Sequence, residues 1–432
     1  MELYIVQPGD TIEGIASKFN MTVERLVSDN GLINSYTLVQ GQALVILHPQ
    51  TTYIVKDGDT ISSIAELNGI PPIQLIRMNP FLYNRTYIYP SETLAIRCNT
   101  SQQLITNGFT FSHINRQTLM KSLPYLTYLS IFNYRISKGG KITSYDDDAD
   151  IISISKSYDT VPLLMISALS PTGELDLEYI YNLLLDEEEK ELLTVNLLGI
   201  IKSKGFLGVN ALMTNINNAN QTLYINALSK LSDAIRAEGY LFILTINPNI
   251  QVSNTGQITY EELDFNALLK IVDNLIFMQE VWGKNYNPPS PVISVPAIRT
   301  FINYVTGLIP PQNLLTWIPL IGYDWPLPFV PNTSYANSLS LSSTIVLASS
   351  QDSIINFDDA SLTPYFNYVG SFDNSPEEHI VWFIDARSID AINNIKEEYQ
   401  LAGTAIWNIM NYNQQLWSIL SSRFDIVKLP IQ

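Results

Sequence analysis

A single cysteine, Cys98, and three scattered histidines, His48, His113 and His379, are all the thiol and imidazole this sequence carries. One cysteine excludes an internal disulfide framework and leaves a packed thiol. Three distant histidines give no zinc-ligand spacing, so neither a metal nor any other cofactor is expected. Basic residues are scarce as well: 24 Lys and Arg stand against 41 Asp and Glu, for a formal charge of −17. That balance excludes a nucleic-acid partner and an anionic membrane surface, because phosphate binding needs clustered cations. No run is long and apolar enough to span a bilayer, so no membrane insertion is expected. The start, "MELYIVQPGD", has no basic stretch leading into an apolar one, so no signal peptide is expected and synthesis begins in the cytosol. The acid-rich stretches from Asp146 to Asp150 and from Asp186 to Glu191 read as solvated faces or loops.

What is present is a folded chain of 432 residues with 46% hydrophobic content, enough for one large domain and small modules. An internal repeat opens it. "YIVQPGDTIEGIASKFNMTVERLVSDNGL" from Tyr4 is echoed by "YIVKDGDTISSIAELNGIPPIQLIRMNPF" from Tyr53. Each copy predicts a β-branched strand, a Gly-Asp-Thr turn that can cap a helix, two helices and a closing strand. The closing strands are "LVQGQALVI" (38–46) and "IYPSETLAI" (88–96).

This pattern resembles the LysM domain, a βααβ module that binds N-acetylglucosamine polymers such as peptidoglycan and chitin, and places one copy at 1–48 and another at 51–98. The resemblance implies a glycan groove between two loops. It points to Gly9, Asp10, Thr11 and Asn30 in the first copy and to Gly58, Asp59, Thr60 and Asn79 in the second. The same spacing is explained by helix capping and turn closure alone.

From about residue 104, short apolar strands alternate with amphipathic helices such as 187–204 and 221–238. Strands are expected at 128–134, 161–168, 208–213, 240–246, 275–278, 314–319, 380–384 and 404–409. Eight of them suggest an α/β fold, a (β/α)8 TIM barrel over 102–432, with any site at the carboxyl ends of the strands.

Five segments resemble the glycoside hydrolase family 18 barrel, and specifically the bacterial spore-cortex N-acetylglucosaminidases with two amino-terminal LysM domains. They are "TNGFTFSHINRQTLMKSLPYLTYLSIFNYRI", "IKSKGFLGVNALMTN", "LIPPQNLLTWIPLIGYDWPLPF", "HIVWFIDARSI" and "GTAIWNIMNYNQQLW". With the paired modules the resemblance spans essentially the whole chain. In that family the fourth strand ends in Asp-Gly-Val-Asn-Ile-Asp-Phe-Glu. The Glu is the general acid, and the Asp two residues before it orients the substrate's N-acetyl group as nucleophile. Alternation along a strand turns both inward.

On the shared Gly-Val-Asn, Leu207 falls at the first Asp, Asn210 at the Asn, Leu212 at the orienting Asp and Thr214 at the catalytic Glu. On the sixth strand Gln279, Glu280 and Val281 follow Met278 where the family has its substrate-holding Met-x-Tyr-Asp/Asn motif. Ile384 stands where an acid follows Trp-Phe. A threonine hydroxyl cannot protonate a leaving glycosidic oxygen. Trp407 matches the tryptophan under the sugar, and Glu280, Trp282, Tyr323, Asp324 and Trp407 are the candidate cleft residues.

The expectation from the sequence is therefore a non-catalytic pseudo-glycosidase: a scaffold of the bacterial endospore envelope that binds peptidoglycan or another N-acetylglucosamine polymer. Other spore-coat proteins, or further copies of the chain, are its other expected partners. The alternatives are a self-assembling structural protein of the coat or exosporium, and a residual N-acetylglucosaminidase that uses Glu280 or another acid on cortex peptidoglycan.

Overall fold

The computed structural model describes residues 1–32, 38–85, 87–100, 102–167, 177–253, 255–279, 284–372 and 375–431. Each repeat folds as the pattern predicts. In the first, strand Glu2–Ile5 pairs antiparallel with Ala43–Ile46 around helices Ile12–Lys18 and Val23–Asn30. In the second, Thr51–Ile54 pairs with Thr93–Arg97 around helices Ile61–Leu67 and Pro72–Met78. The Gly-Asp-Thr turns work as capping elements: Thr11 Oγ1 accepts from the Gly14 N–H at 3.0 Å, and Thr60 forms a reciprocal capping box with Ser63. Gly9 and Gly58 both sit at φ +84°, where only glycine is unstrained.

Each module's own core is small. Val6, Ile12, Ile15, Ala16, Leu26, Leu44 and Ile46 form the first, and Val55, Ile64, Ala65, Leu75, Leu94 and Ile96 form most of the second. Neither would hold about 45 residues comfortably alone. The closing strand of the first module, buried on both faces, adds Ala43, Val45 and Leu47 to the barrel's apolar core.

The barrel has eight parallel strands: Gln102–Phe111, Tyr128–Ser137, Val161–Ser167, Gly208–Met213, Leu241–Ile246, Asn274–Phe277, Leu314–Pro319 and Gly403–Trp407. It closes because the first strand pairs with both the second and the eighth. The expected number of strands holds, but two assignments change. The first strand was not among those expected, because "QQLITNGFTF" mixes polar with apolar residues and lacks a continuous apolar run. The run at 380–384 is no barrel strand. It overlaps Ser375–Trp382, part of a five-stranded antiparallel sheet inserted between the seventh and eighth barrel strands. Val381, Phe383 and Ile384 of the run are buried, so it mimics the pattern of a fully buried parallel strand. Cys98 is buried, as a packed thiol should be. No described helix is long and apolar enough to cross a membrane.

Candidate active site

Inside the barrel a polar chain ties four strands together. Ser130 Oγ donates to Asn107 Oδ1 (2.8 Å), Asn210 Nδ2 donates to Ser130 Oγ (2.9 Å), and Thr245 Oγ1 donates to Asn210 Oδ1 (2.8 Å). All four residues are fully buried. Asn210, the one polar residue shared with the family's fourth-strand signature, is thus a structural cross-brace.

Alternation puts Leu212 and Thr214 on the same inward side, nearer the carboxyl-terminal mouth. Leu212 is buried, while Thr214 Oγ1 and Asn215 Nδ2 are buried polar atoms with no hydrogen-bond partner among the described residues. Leu207 lies just before the strand, its N–H donating to the Pro162 carbonyl (3.0 Å) and its carbonyl accepting from the Leu241 N–H (3.1 Å).

Aromatic rings line the mouth. Phe111 meets Phe132 edge-on at 5.2 Å, and Trp407 lies 5.2 Å from Phe109 and 6.3 Å from Phe111. His113 stacks on Phe111 at 5.6 Å. Trp407 is 6% exposed, its carbonyl accepts from the Leu320 N–H at 2.7 Å, and the Trp407–Asn408 peptide is cis. Sequence reasoning found Trp407 but missed Phe109, Phe111 and Phe132. Their signal was the alternation of aromatics in "GFTF", which shows only once strand one is recognised, and in "IFNY", on a strand already expected. Asp146 was also missed as an individual site residue. It is an exposed carboxylate that accepts from Ser112 Oγ (3.0 Å) beside the ends of strands one and two.

The other cleft candidates divide. Glu280 and Trp282 lie outside the described residues; Gln279, just before them, donates through Nε2 to the Ile250 carbonyl at 2.8 Å. Tyr323 is buried in the inserted sheet, 5.5 Å from Trp325, and burial pushes its phenol up to about 12. Asp324 alternates to the opposite side of that sheet. It accepts from Tyr368 Oη (2.8 Å) and contacts His379 Nδ1 at 2.9 Å, while His379 Nε2 lies 3.2 Å from Glu377. The Tyr368 phenol is raised by burial and by its bond to Asp324. Asp324 therefore braces the inserted sheet and is not a free acid.

In the modules, Asp10 Oδ2 accepts from the Gln7 N–H and the Tyr4 hydroxyl, both at 2.7 Å, and the backbone bond foremost holds the carboxyl below its usual range. Asp59 makes the same two hydrogen bonds, accepting from the Lys56 N–H (2.7 Å) and the Tyr53 hydroxyl (2.9 Å). These turns, with Gly9, Thr11, Gly58 and Thr60, face solvent. Asn30 and Asn79 are placed differently. Both are buried, and their amides close the module on itself. Asn30 bonds the Leu26 and Val45 carbonyls and the Val45 N–H at 2.7–2.9 Å, and Asn79 bonds the equivalent groups of Leu75 and Ala95. Their remaining contacts are Gln415 and Arg25.

The LysM domain profile matches residues 4–47 and 53–97. Over 435 residues and 99% of both chains, the sequence is 30% identical to the cortical fragment-lytic enzyme of Bacillus subtilis (strain 168). It is 26% identical to the cortical fragment-lytic enzyme of Bacillus anthracis, again over 99% of each. The crystal structure of the Bacillus cereus spore cortex-lytic enzyme SleL superposes with a TM-score of 0.79, at 26% identity and 99% coverage of both chains. These findings overturn the expectation of a non-catalytic scaffold. Chains that match this one from end to end are named lytic enzymes, which points to an enzyme. The sequence argument weighed three places, Leu207 to Thr214, Gln279 to Val281 and Ile384, whereas carboxylates can reach a barrel mouth from any strand-end loop. The self-assembling alternative gains no support from these relatives.

Proposed function

Because the chain belongs to the family of the cortical fragment-lytic enzymes, we propose that it is a glycosidase of spore-cortex peptidoglycan, acting in the envelope of a bacterial endospore. The observation that carries this reading is the match over 99% of both chains, modules and barrel together. The boundaries 1–48, 51–98 and 102–432 then separate two glycan-holding modules from a catalytic barrel. The exposed turns at Gly9, Asp10 and Thr11 and at Gly58, Asp59 and Thr60 are the groups we assign to glycan contact. The aromatic mouth around Trp407 offers a sugar an apolar face to lie against.

Cleavage needs a proton for the leaving glycosidic oxygen. Glu280, which follows the sixth barrel strand in sequence, is the carboxylate we assign to that role. The test is reducing-sugar release from purified spore peptidoglycan by the full chain. Release above a heat-killed control is expected, with a loss of roughly 10²- to 10⁴-fold in Glu280→Gln. No release from intact or pre-fragmented cortex would overturn the reading, and release undiminished in the variant would move the acid elsewhere, with Asp146→Asn the next variant to assay.

A further inference from the structure

Between the second LysM module and the barrel lies a cavity of about 500 Å³ that the proposed reaction does not use. Its walls include Arg77 and Arg97 from the module and Ser421, Asp425 and Lys428 from the carboxyl-terminal segment. Two polar groups, one from each side, lack partners. Arg77 Nε is buried without a hydrogen bond, and among the described residues its guanidinium has no ion pair. Ser421 is 7% exposed, and its Oγ is likewise buried and unpartnered. Folded proteins leave few such atoms unsatisfied.

The electrostatics point the same way. Burial holds Arg77 down to about 10 against the opposing pull of Tyr125 and Asp425, and holds Lys428 down to about 6, where the Arg77 charge depresses it further and Asp159 opposes. The Lys428 ammonium is anchored on the carbonyls of Leu123, Leu126 and Tyr158 and on Thr160 Oγ1, all at 2.6–2.9 Å. Two carboxylates share the cavity, Asp159 and Asp425. Both are exposed, and Asp425 accepts from Thr100 Oγ1 at 2.9 Å. Arg97 is turned to the Asn68 and Gly69 carbonyls. The buried part of the cavity thus presents donors, with Arg77 as its charged group at neutral pH, in a chain whose net charge is −17.

We propose that this cavity binds a small oxyanion, phosphate or carboxylate, through the Arg77 guanidinium and the Ser421 hydroxyl. A guanidinium fork suits two oxygens of such a group, and a hydroxyl donates to a third. The bound anion ties the second module to the barrel, since one ligand comes from each, and binding to the folded state alone stabilises that docking.

The experiment is calorimetric titration of the full chain with inorganic phosphate and, separately, with succinate, at constant ionic strength. Heat is preferred to a melting shift because phosphate stabilises most proteins nonspecifically. Saturable binding of either probe is expected, weakened about tenfold or more in Arg77→Met and in Ser421→Ala. Phosphate alone would mark a free-anion site, and succinate alone a site for carboxylates such as those of a peptide. Ser421→Ala leaves Arg77 in place and removes only an unpartnered hydroxyl, so its fold is not at risk. No saturable heat with either probe, or affinity unchanged in Ser421→Ala, would overturn the proposal.

Discussion

Asp29 is the residue whose surroundings most oppose its charge. It is fully buried where the two modules and the barrel meet, with Oδ2 2.7 Å from Arg25 Nε and Oδ1 unpartnered. Arg25 also donates to Asn79 Oδ1 (3.1 Å) and the Met78 carbonyl (3.0 Å), so one ion pair joins both modules. Loss of hydration raises the Asp29 carboxyl to about 6, against the opposing pull of Arg25. The unfolded chain titrates near 3.8, so the folded state binds this proton more tightly. Ionisation of Asp29 therefore costs the folded state stability as pH rises through 6, and that stability returns as pH falls towards 4, by at most about 3 kcal/mol. In melts from pH 7.5 to 4.5 the wild type should gain on Asp29→Asn as pH falls; a constant gap between them would show that Asp29 is not the titrating group. At this scale the sequence told residue types better than residue roles. Asp10 and Asp59 were singled out for glycan contact or helix capping; they brace their turns, and the capping falls to Thr11 and Thr60. Asn30 and Asn79 were singled out by the same spacing, yet each spans 15 or 16 residues to a closing-strand partner that no local pattern encodes.

Among the elements, the eighth barrel strand depends on a missing side chain. A Cβ on Gly403 would lie 1.8 Å from the Ile105 carbonyl oxygen on strand one, the pairing that closes the barrel. Gly403→Ala should cost about 1–3 kcal/mol or more in denaturant unfolding. Gly199 is the control: it sits within helix Glu187–Lys204 with open space where a Cβ would go, and Gly199→Ala should stabilise by about 0.5–1 kcal/mol. Equal effects at the two sites would remove strand approach as the reason for Gly403. The same contrast explains which strands could be read in advance. Gly208–Met213 and Leu314–Pro319 are apolar runs with clear ends, and their bounds were anticipated. Strand one could not be, because its inward Asn107 makes sense only beside Ser130, contributed by the next strand. Residues 380–384 misled for the converse reason, since apolar continuity reports burial and not which sheet supplies it.

Across the whole molecule, the modules behave as parts of the barrel's surface and not as beads on a linker. The Ile355 N–H donates to the Gln40 carbonyl (2.9 Å), and a Cβ on Gly41 would lie 1.9 Å from the Ile355 carbonyl oxygen. Arg387 reaches the Gly41 carbonyl (3.2 Å), Ser418 Oγ donates to the Asp29 carbonyl (2.6 Å), and Gln415 Nε2 to the Ala43 carbonyl (2.8 Å). The second module is held by Tyr125, whose hydroxyl donates to the Arg77 carbonyl at 3.2 Å, and by the shared Arg25. Two cores this small gain more from these shared faces than from their own few side chains. The full chain should therefore unfold in one calorimetric transition, with van't Hoff and calorimetric enthalpies equal within error. A separate low-temperature transition confined to residues 1–98 would show independent modules, and glycan held there would then swing freely relative to the mouth. If the transition is single, the two turns carrying Asp10 and Asp59 are fixed in distance and direction from Trp407. A glycan chain gripped at a module can then meet the mouth only at certain sugars, so product lengths from an extended strand should cluster instead of spreading evenly.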